Sequence, residues 1–256
     1  MFQHAIVRLP GAALARGLTR VDLGPPDLAL AERQHAAYCD ALRRAGLDVT
    51  VLPADEAFPD GTFVEDTAIV LPEGALLTRP GAPSRAGEVA AVAAALGLHY
   101  DALARIEAPG TVDGGDICVA GRRVYIGRSA RTNAAGAAQL AHWLAGLGYE
   151  SVEVDITGID SILHLKSGLA AIAGGRLLLI EALANHPAFA DCERLVMESS
   201  EDYAANAVQV NGMVFVAAGY PRLAARLQSL GYTLEILDMS EYAKLDGGLS
   251  CLSLRF

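Results

Sequence analysis

Apolar residues in this chain fall into short runs separated by turn signals, and the runs recur in one order. Residues 2–9 read as an apolar strand and 11–26 as an irregular loop. Asp27 then precedes a stretch in which Leu30, Tyr38, Ala41 and Leu42 share a face, which predicts a helix to about Arg44 with Gly46 just past its end. A short buried strand is expected at 49–52. After a turn-rich loop, residues 67–71 and 75–78 flank Pro72-Glu-Gly74 as a hairpin. Ser84 is placed to cap a helix whose inner face is Val89, Val92, Ala93 and Leu96, and a strand leads toward Ile106.

The same order returns three more times. Residues 117–120 and 124–126 form a hairpin, followed by a helix from Asn133 with Leu140, Trp143, Leu144 and Leu147, and a strand at 152–154. Residues 169–172 and 177–180 turn at Gly174-Gly175, then a short helix and a strand at 195–197 are expected. Residues 208–210 and 214–216 turn at Asn211-Gly212, a strong hairpin signal. A helix with Leu223, Leu227 and Leu230 and a strand at 234–237 follow. A fifth unit is split: its first strand follows Cys251, and its remainder is the N-terminal strand, helix and strand. A period of roughly 45–50 residues signals a repeat architecture, and sharing one unit between the termini closes it into a ring. The fold class expected is α/β, one domain over residues 1–256, built from five strand-strand-helix-strand units.

Composition narrows the function. The 256 residues carry a formal net charge of −10, which argues against nucleic acid and suits a cationic ligand. No apolar run is long enough for a membrane span. The N-terminus reads as a strand without a basic start or cleavage site, so no secretory signal is expected. Cys39, Cys118, Cys192 and Cys251 have no paired spacing, which predicts neither a disulfide framework nor a zinc knuckle and points to a reducing cytoplasm. There is no dinucleotide fingerprint or Walker loop.

Equivalent positions in a ring of repeats surround one axis. The residues opening the first strand of each hairpin are Glu65 and Asp66, Asp113 and Asp116, His164, Asn206 and Cys251. Each has an ordinary reading: a solvated acidic pair, Asp-Gly turn formers, a core histidine, a buried free cysteine. Taken in register they supply a thiol, an imidazole and carboxylates, the ingredients of nucleophilic catalysis on a cationic carbon. The other histidines read as structural or exposed, and Cys192 has no role in the pattern.

Phe58-Pro-Asp60 with Phe63-Val-Glu65-Asp66, Asp113-Gly-Gly-Asp116, His164-Leu-Lys166, Ala204-Ala-Asn206 and Asp246-Gly-Gly with Cys251 resemble, in order and along the whole chain, the dimethylarginine dimethylaminohydrolases. The resemblance implies the five-bladed α/β propeller of the guanidine-modifying pentein superfamily. It implies hydrolysis of N-omega-methylated L-arginine to L-citrulline and dimethylamine or methylamine through a covalent thiouronium. Cys251 would be the nucleophile and His164 the acid–base group, with Asp113 orienting the imidazole and shared with substrate. Asp60, Glu65 and Asp66 would hold the guanidinium, Arg85 and Arg131 the substrate carboxylate, and the backbone around Leu18 and Leu245 would close the pocket under a lid of residues 11–26. No cofactor or metal is implied, and a homodimer is compatible. Asp113 departs from the glutamate of the bacterial relatives by one methylene. The competing readings are an arginine deiminase-like hydrolase of another guanidine and a non-catalytic ring that binds arginine-like cations. Arginine deiminases carry an extra helical domain, which a chain of this length is expected to lack.

Overall fold

The computed structural model describes residues 1–256 and arranges the strands as five three-stranded sheets. β1 (His4–Arg8) lies parallel to β2 (Asp48–Leu52) and antiparallel to the last strand, β15 (Leu254–Arg255), so the split unit closes as expected. The next sheet contains β3 (Ala68–Leu71), β4 (Gly74–Leu77) and β5 (Leu103–Arg105). It is followed by β6 (Ile117–Ala120), β7 (Arg123–Arg128) and β8 (Glu150–Asp155). Then come β9 (Leu169–Ile172), β10 (Arg176–Leu179) and β11 (Glu193–Val196), and finally β12 (Val208–Val210), β13 (Met213–Ala217) and β14 (Thr233–Leu237). In each, an antiparallel hairpin is followed by a strand parallel to its second member. Residues of all five first strands (β3, β6, β9, β12 and β15) line one axial cavity of about 400 Å³, which makes the assembly the five-unit α/β propeller.

A parallel pair cannot be joined by a tight turn and needs a crossover. α1 (Leu28–Arg44), α2 (Val89–Leu96), α3 (Ala134–Gly146) and α4 (Pro221–Ser229) supply four of the five. Asp27 caps α1 by accepting the Leu30 N–H, and Asn133 caps α3 by accepting that of Gly136. Gly46 and Gly148, just past these helices, take the left-handed conformation that glycine tolerates best. The apolar core runs between units: Val154 of β8, Leu178 of β10 and Leu227 of α4 share one cluster, so no unit closes its own core.

Four expectations are corrected. The crossover from β10 to β11 is not a helix but two 3-10 turns, Glu181–Leu183 and Pro187–Phe189. Pro187 cannot continue a helix, and Leu183 and Phe189, both fully buried, fill the helix's place. Ser84 does not cap α2: residues Pro83–Glu88 wind as a 3-10 turn that draws Arg85 and Glu88 inward, and α2 starts at Val89. The strand at 49–52 is not buried, because β2 is the outer strand of its sheet and Val51 is exposed. Leu230 is exposed because it falls at the end of α4, where the helical face is lost.

Each first strand is preceded by a 3-10 turn: Val64–Thr67, Gly114–Asp116, Leu165–Ser167, Ser199–Ala205 and Ser250–Leu252. Polar bonds join the five regions into a closed circuit. The Gly115 N–H donates to Asp66 Oδ1 (2.8 Å), and the Leu165 N–H to Asp116 Oδ1 (3.0 Å). Asn206 Nδ2 donates to the Lys166 carbonyl (3.0 Å), and the Ser250 N–H to Asn206 Oδ1 (2.8 Å). Ser250 Oγ donates to Glu65 Oε2 (2.6 Å) and returns the circuit to its start. No helix is long and apolar enough to cross a membrane.

The turns approach so closely that a Cβ at Gly114 would overlap the Glu65 carbonyl, whereas at Gly146, within α3, it would meet open space. Gly114→Ala should therefore destabilise the fold by more than about 2 kcal/mol. Gly146→Ala should be neutral or stabilising by up to about 1 kcal/mol. Urea midpoints check the pair, and equal stability of the two variants would contradict the packing described.

Candidate active site

The strand-opening turns do more than link the ring. Because each turn stands at the same end of its strand, the side chains just before or within it converge on that end of the axis. There a small cleft is lined by Asp60, Asp66, Arg85, Arg131, His164 and Cys251, with Leu18, Phe63, Leu163, Leu245, Asp246 and Gly247 completing the wall. Cys251 and His164, eighty-seven positions apart, thus face one space. Gly247 and Gly248 make the approach to the thiol possible: a Cβ at the first would strike the Phe63 ring, and at the second Asn206. The Gly248 N–H points at Cys251 Sγ (3.4 Å).

His164 Nε2 bonds Asp113 Oδ2 at 3.0 Å, so the shorter aspartate arm reaches the imidazole. The other Asp113 oxygen accepts the Gly81 N–H (2.8 Å), and the residue is fully buried. Asp113 is thereby a partner of the histidine, and the structure does not bring it to the cleft wall for sharing with substrate. Asp66 accepts from Gly115 and bonds the Arg85 guanidinium. Arg85 is held further by Glu88, through Nε and Nη2, and by the Phe63 carbonyl. Of its five N–H donors, this leaves one, on Nη1. Arg131, half-buried, has its guanidinium at the cleft with no ion-pair partner. Asp60 Oδ1 accepts the Leu18 N–H (2.9 Å), which ties the loop of residues 11–26 to the cleft.

Glu65 does not line this cleft. Its carboxylate takes Ser250 Oγ and Lys166 Nζ, both at 2.6 Å, and Arg255 at 3.3 Å, and it lines the axial cavity on the other side. Adjacent residues on a tight turn diverge, so Asp66 faces the cleft and Glu65 the axis. Asp116 is also outside: Ser129 and Thr132 hydroxyls (2.6 Å each) and the Leu165 N–H fill its oxygens. Asn206 belongs to the circuit. Sequence reasoning does not single out Glu88, whose only signal is its spacing of three from Arg85, or the wall position of Asp246. Cys192, half-buried, lies 2.9 Å from the Tyr125 hydroxyl, away from the cleft.

The electrostatics follow from this layout. Burial opposes charge on His164, but the Asp66 carboxylate, the bond to Asp113 and the Asp116 charge prevail and push its pKa up to about 9. Burial disfavours the Asp66 anion, yet His164 and Arg85 outweigh it and bring that carboxyl down to about 2. Burial first, then the Glu65 and Asp66 charges, pushes the Cys251 thiol up to about 12. At neutral pH the site holds an imidazolium and a neutral thiol. Ligand atoms of Asp66, Asp113 and His164 lie within 4.8 Å of one another, and these carboxylates are engaged by the Arg85 guanidinium and the imidazole.

No protein-family model matches the chain. It is 44% identical over 257 aligned residues to the N(G),N(G)-dimethylarginine dimethylaminohydrolase of Pseudomonas aeruginosa, covering 100% of both chains. It is 38% identical to a protein of the same name from Streptomyces coelicolor, covering 99% of this chain and 96% of that one. A solved structure of the Pseudomonas aeruginosa protein, a cysteine-to-serine variant complexed with citrulline, matches with a TM-score of 0.97 over 100% of each chain.

The raised His164 pKa has a consequence for stability. A histidine held above its ordinary value of about 6.5 stabilises the folded chain fully below that pH, and the contribution disappears as pH rises through about 9. The stability difference between the native chain and His164→Gln should therefore shrink between pH 6 and pH 10, by on the order of 3 kcal/mol. Denaturant midpoints across that range measure it, and a difference independent of pH would mean that His164 is neutral in the fold.

Proposed function

The chain belongs to the dimethylarginine dimethylaminohydrolase family, and we propose that Cys251, His164 and the acidic wall carry its hydrolysis of N-omega-methylated L-arginine to L-citrulline and dimethylamine or methylamine. The observation that supports this most is the Cys251 thiol sharing a cleft with an imidazolium whose partner, Asp113, is sealed from solvent.

The guanidinium of the substrate is a delocalised cation and a poor electrophile. Asp66 and the unpaired oxygen of Asp60 attract it and hold it flat over the thiol. The substrate carboxylate goes to the free guanidinium of Arg131 and the remaining Nη1 hydrogen of Arg85. Arrival of a positive charge beside Cys251 reverses the field that keeps the thiol protonated. The thiol proton passes to solvent, and the thiolate attacks the central carbon to form the C–S bond. Collapse of the tetrahedral adduct breaks the carbon–nitrogen bond to the methylated nitrogen, which takes the His164 proton and leaves as the amine. Now neutral, His164 takes a proton from the water that adds to the thiouronium carbon. Breaking the C–S bond then releases citrulline and returns the sulfur. Glu65, bound to Ser250, Lys166 and Arg255, contributes negative potential from behind the sulfur, without contact with the guanidinium.

Product analysis tests the reading. Citrulline and dimethylamine should appear in equal amounts from asymmetric dimethylarginine, and Cys251→Ser should lower kcat below about 10⁻⁴ of the native value while still binding citrulline. Citrulline with ammonia from arginine would indicate deimination, and ligand binding without any product would indicate a binding ring.

The protonation state of the thiol is tested by alkylation. In the free enzyme the rate of Cys251 carboxamidomethylation should keep rising beyond pH 10, following a thiol pushed up to about 12. A plateau reached by pH 7 would mean that the thiolate exists before substrate arrives.

A further inference from the structure

The loop of residues 11–26 reaches the cleft through Leu18, and its tethers are carboxylates. Glu56 accepts the N–H groups of Ala12 and Ala13 (2.8 and 2.7 Å), Asp60 that of Leu18, and Glu241 that of Asp27 (2.6 Å). Between these anchors residues 18–25 are all exposed, so no buried side chain fixes them. Two side chains of one short segment make polar contacts with this stretch. Lys244 Nζ donates to the Pro25 carbonyl (3.3 Å), and Asp246 Oδ2 accepts the Arg20 N–H at 2.6 Å and the Thr19 hydroxyl at 3.4 Å.

Asp246 has two further features. Its φ of +56° is left-handed, a conformation that glycine adopts without strain. The chain places glycines at the next two positions, where a Cβ would collide, but an aspartate at the left-handed one. Asp246 also lines the cleft, five residues before the nucleophile, in the segment that leads into the turn carrying Cys251. An aspartate could hold this conformation merely as a turn former, through its own short side chain. The bonds it makes are instead to a loop 226 and 227 positions away.

We propose that Asp246 is a positioning residue that registers the Leu18 wall of the cleft against the segment bearing Cys251. Leu18 then sits between two fixed points, its own N–H on Asp60 and the Arg20 N–H on Asp246, so the depth of the pocket above the thiol is set by both carboxylates. This deepens the functional reading above and rests on it for the identity of the substrate.

Two substitutions separate a turn former from a tether. Asp246→Gly relieves the left-handed backbone and removes the acceptor, and Asp246→Asn keeps an acceptor oxygen and tolerates the same conformation. With asymmetric dimethylarginine as substrate, the glycine variant should show KM raised about tenfold or more, the size of effect expected for a lost bond to a charged group. Amide hydrogen exchange at Arg20 should accelerate at least as much in that variant, and Asp246→Asn should recover both to within about threefold. Native KM and native Arg20 protection in the glycine variant would overturn the proposal. Failure of the functional reading looks different: the native chain would then release no citrulline, while the exchange measurement would still report whether Asp246 holds the loop.

Discussion

The closed circuit of hydrogen bonds among the strand-opening turns is the constraint from which the rest follows. A repeat that buries its apolar face only against its neighbours has no fixed orientation of its own. Here orientation comes from short polar bonds between successive turns: Asp66 to Gly115, Asp116 to Leu165, Asn206 to Lys166 and Ser250, and Ser250 to Glu65. These groups are buried, so a missing partner would leave a desolvated donor or acceptor, a larger loss than the gain from one bond. The circuit therefore behaves as a unit, and it sets the common level at which His164 and Cys251 emerge.

The same acidity serves two purposes. Asp66 belongs to the circuit and to the cleft: one oxygen accepts a backbone N–H and the other meets Arg85. Arg85 in turn is gripped by Glu88, so a buried cation is surrounded before any substrate arrives. A carboxylate held near pKa 2 stays charged at any pH at which the protein works, and that permanent charge keeps His164 protonated and adds to the burial and the Glu65 charge that keep Cys251 neutral. The resting site is thus prepared to donate a proton to a departing amine but not to attack, until a cation enters. Selectivity for cationic substrates then comes from ionisation of the nucleophile as well as from binding.

Much of this was legible in the sequence wherever the cause was local. Asp27 could be read as a cap because it needs only an N–H three residues on, and Gly46 because a helix ends at a left-handed residue. The hairpins and the split unit followed from spacing. Orientation about a tight turn was not legible. Glu65 and Asp66 are neighbours of the same chemistry, yet one meets Lys166 and the axial cavity and the other meets the cleft. No periodicity distinguishes them, because the choice depends on which cation the opposite unit supplies. The apolar run at 49–52 misled for a similar reason: being the outer strand of a sheet is a property of the ring, not of the run.

Ring closure ties the chemistry to the whole chain. The nucleophile lies in the turn before β15, and β15 pairs with β1, so the thiol reaches its place only when the last residues of the chain join the first. Ser250, next to Cys251, bonds Asn206 on one side and Glu65 on the other, bridging the fourth full unit and the first. A partly closed ring would leave Glu65 without Ser250 and the sulfur outside the field of Asp66. The environment of the thiol therefore depends on contacts from both ends of the chain, and on the closure that brings them together.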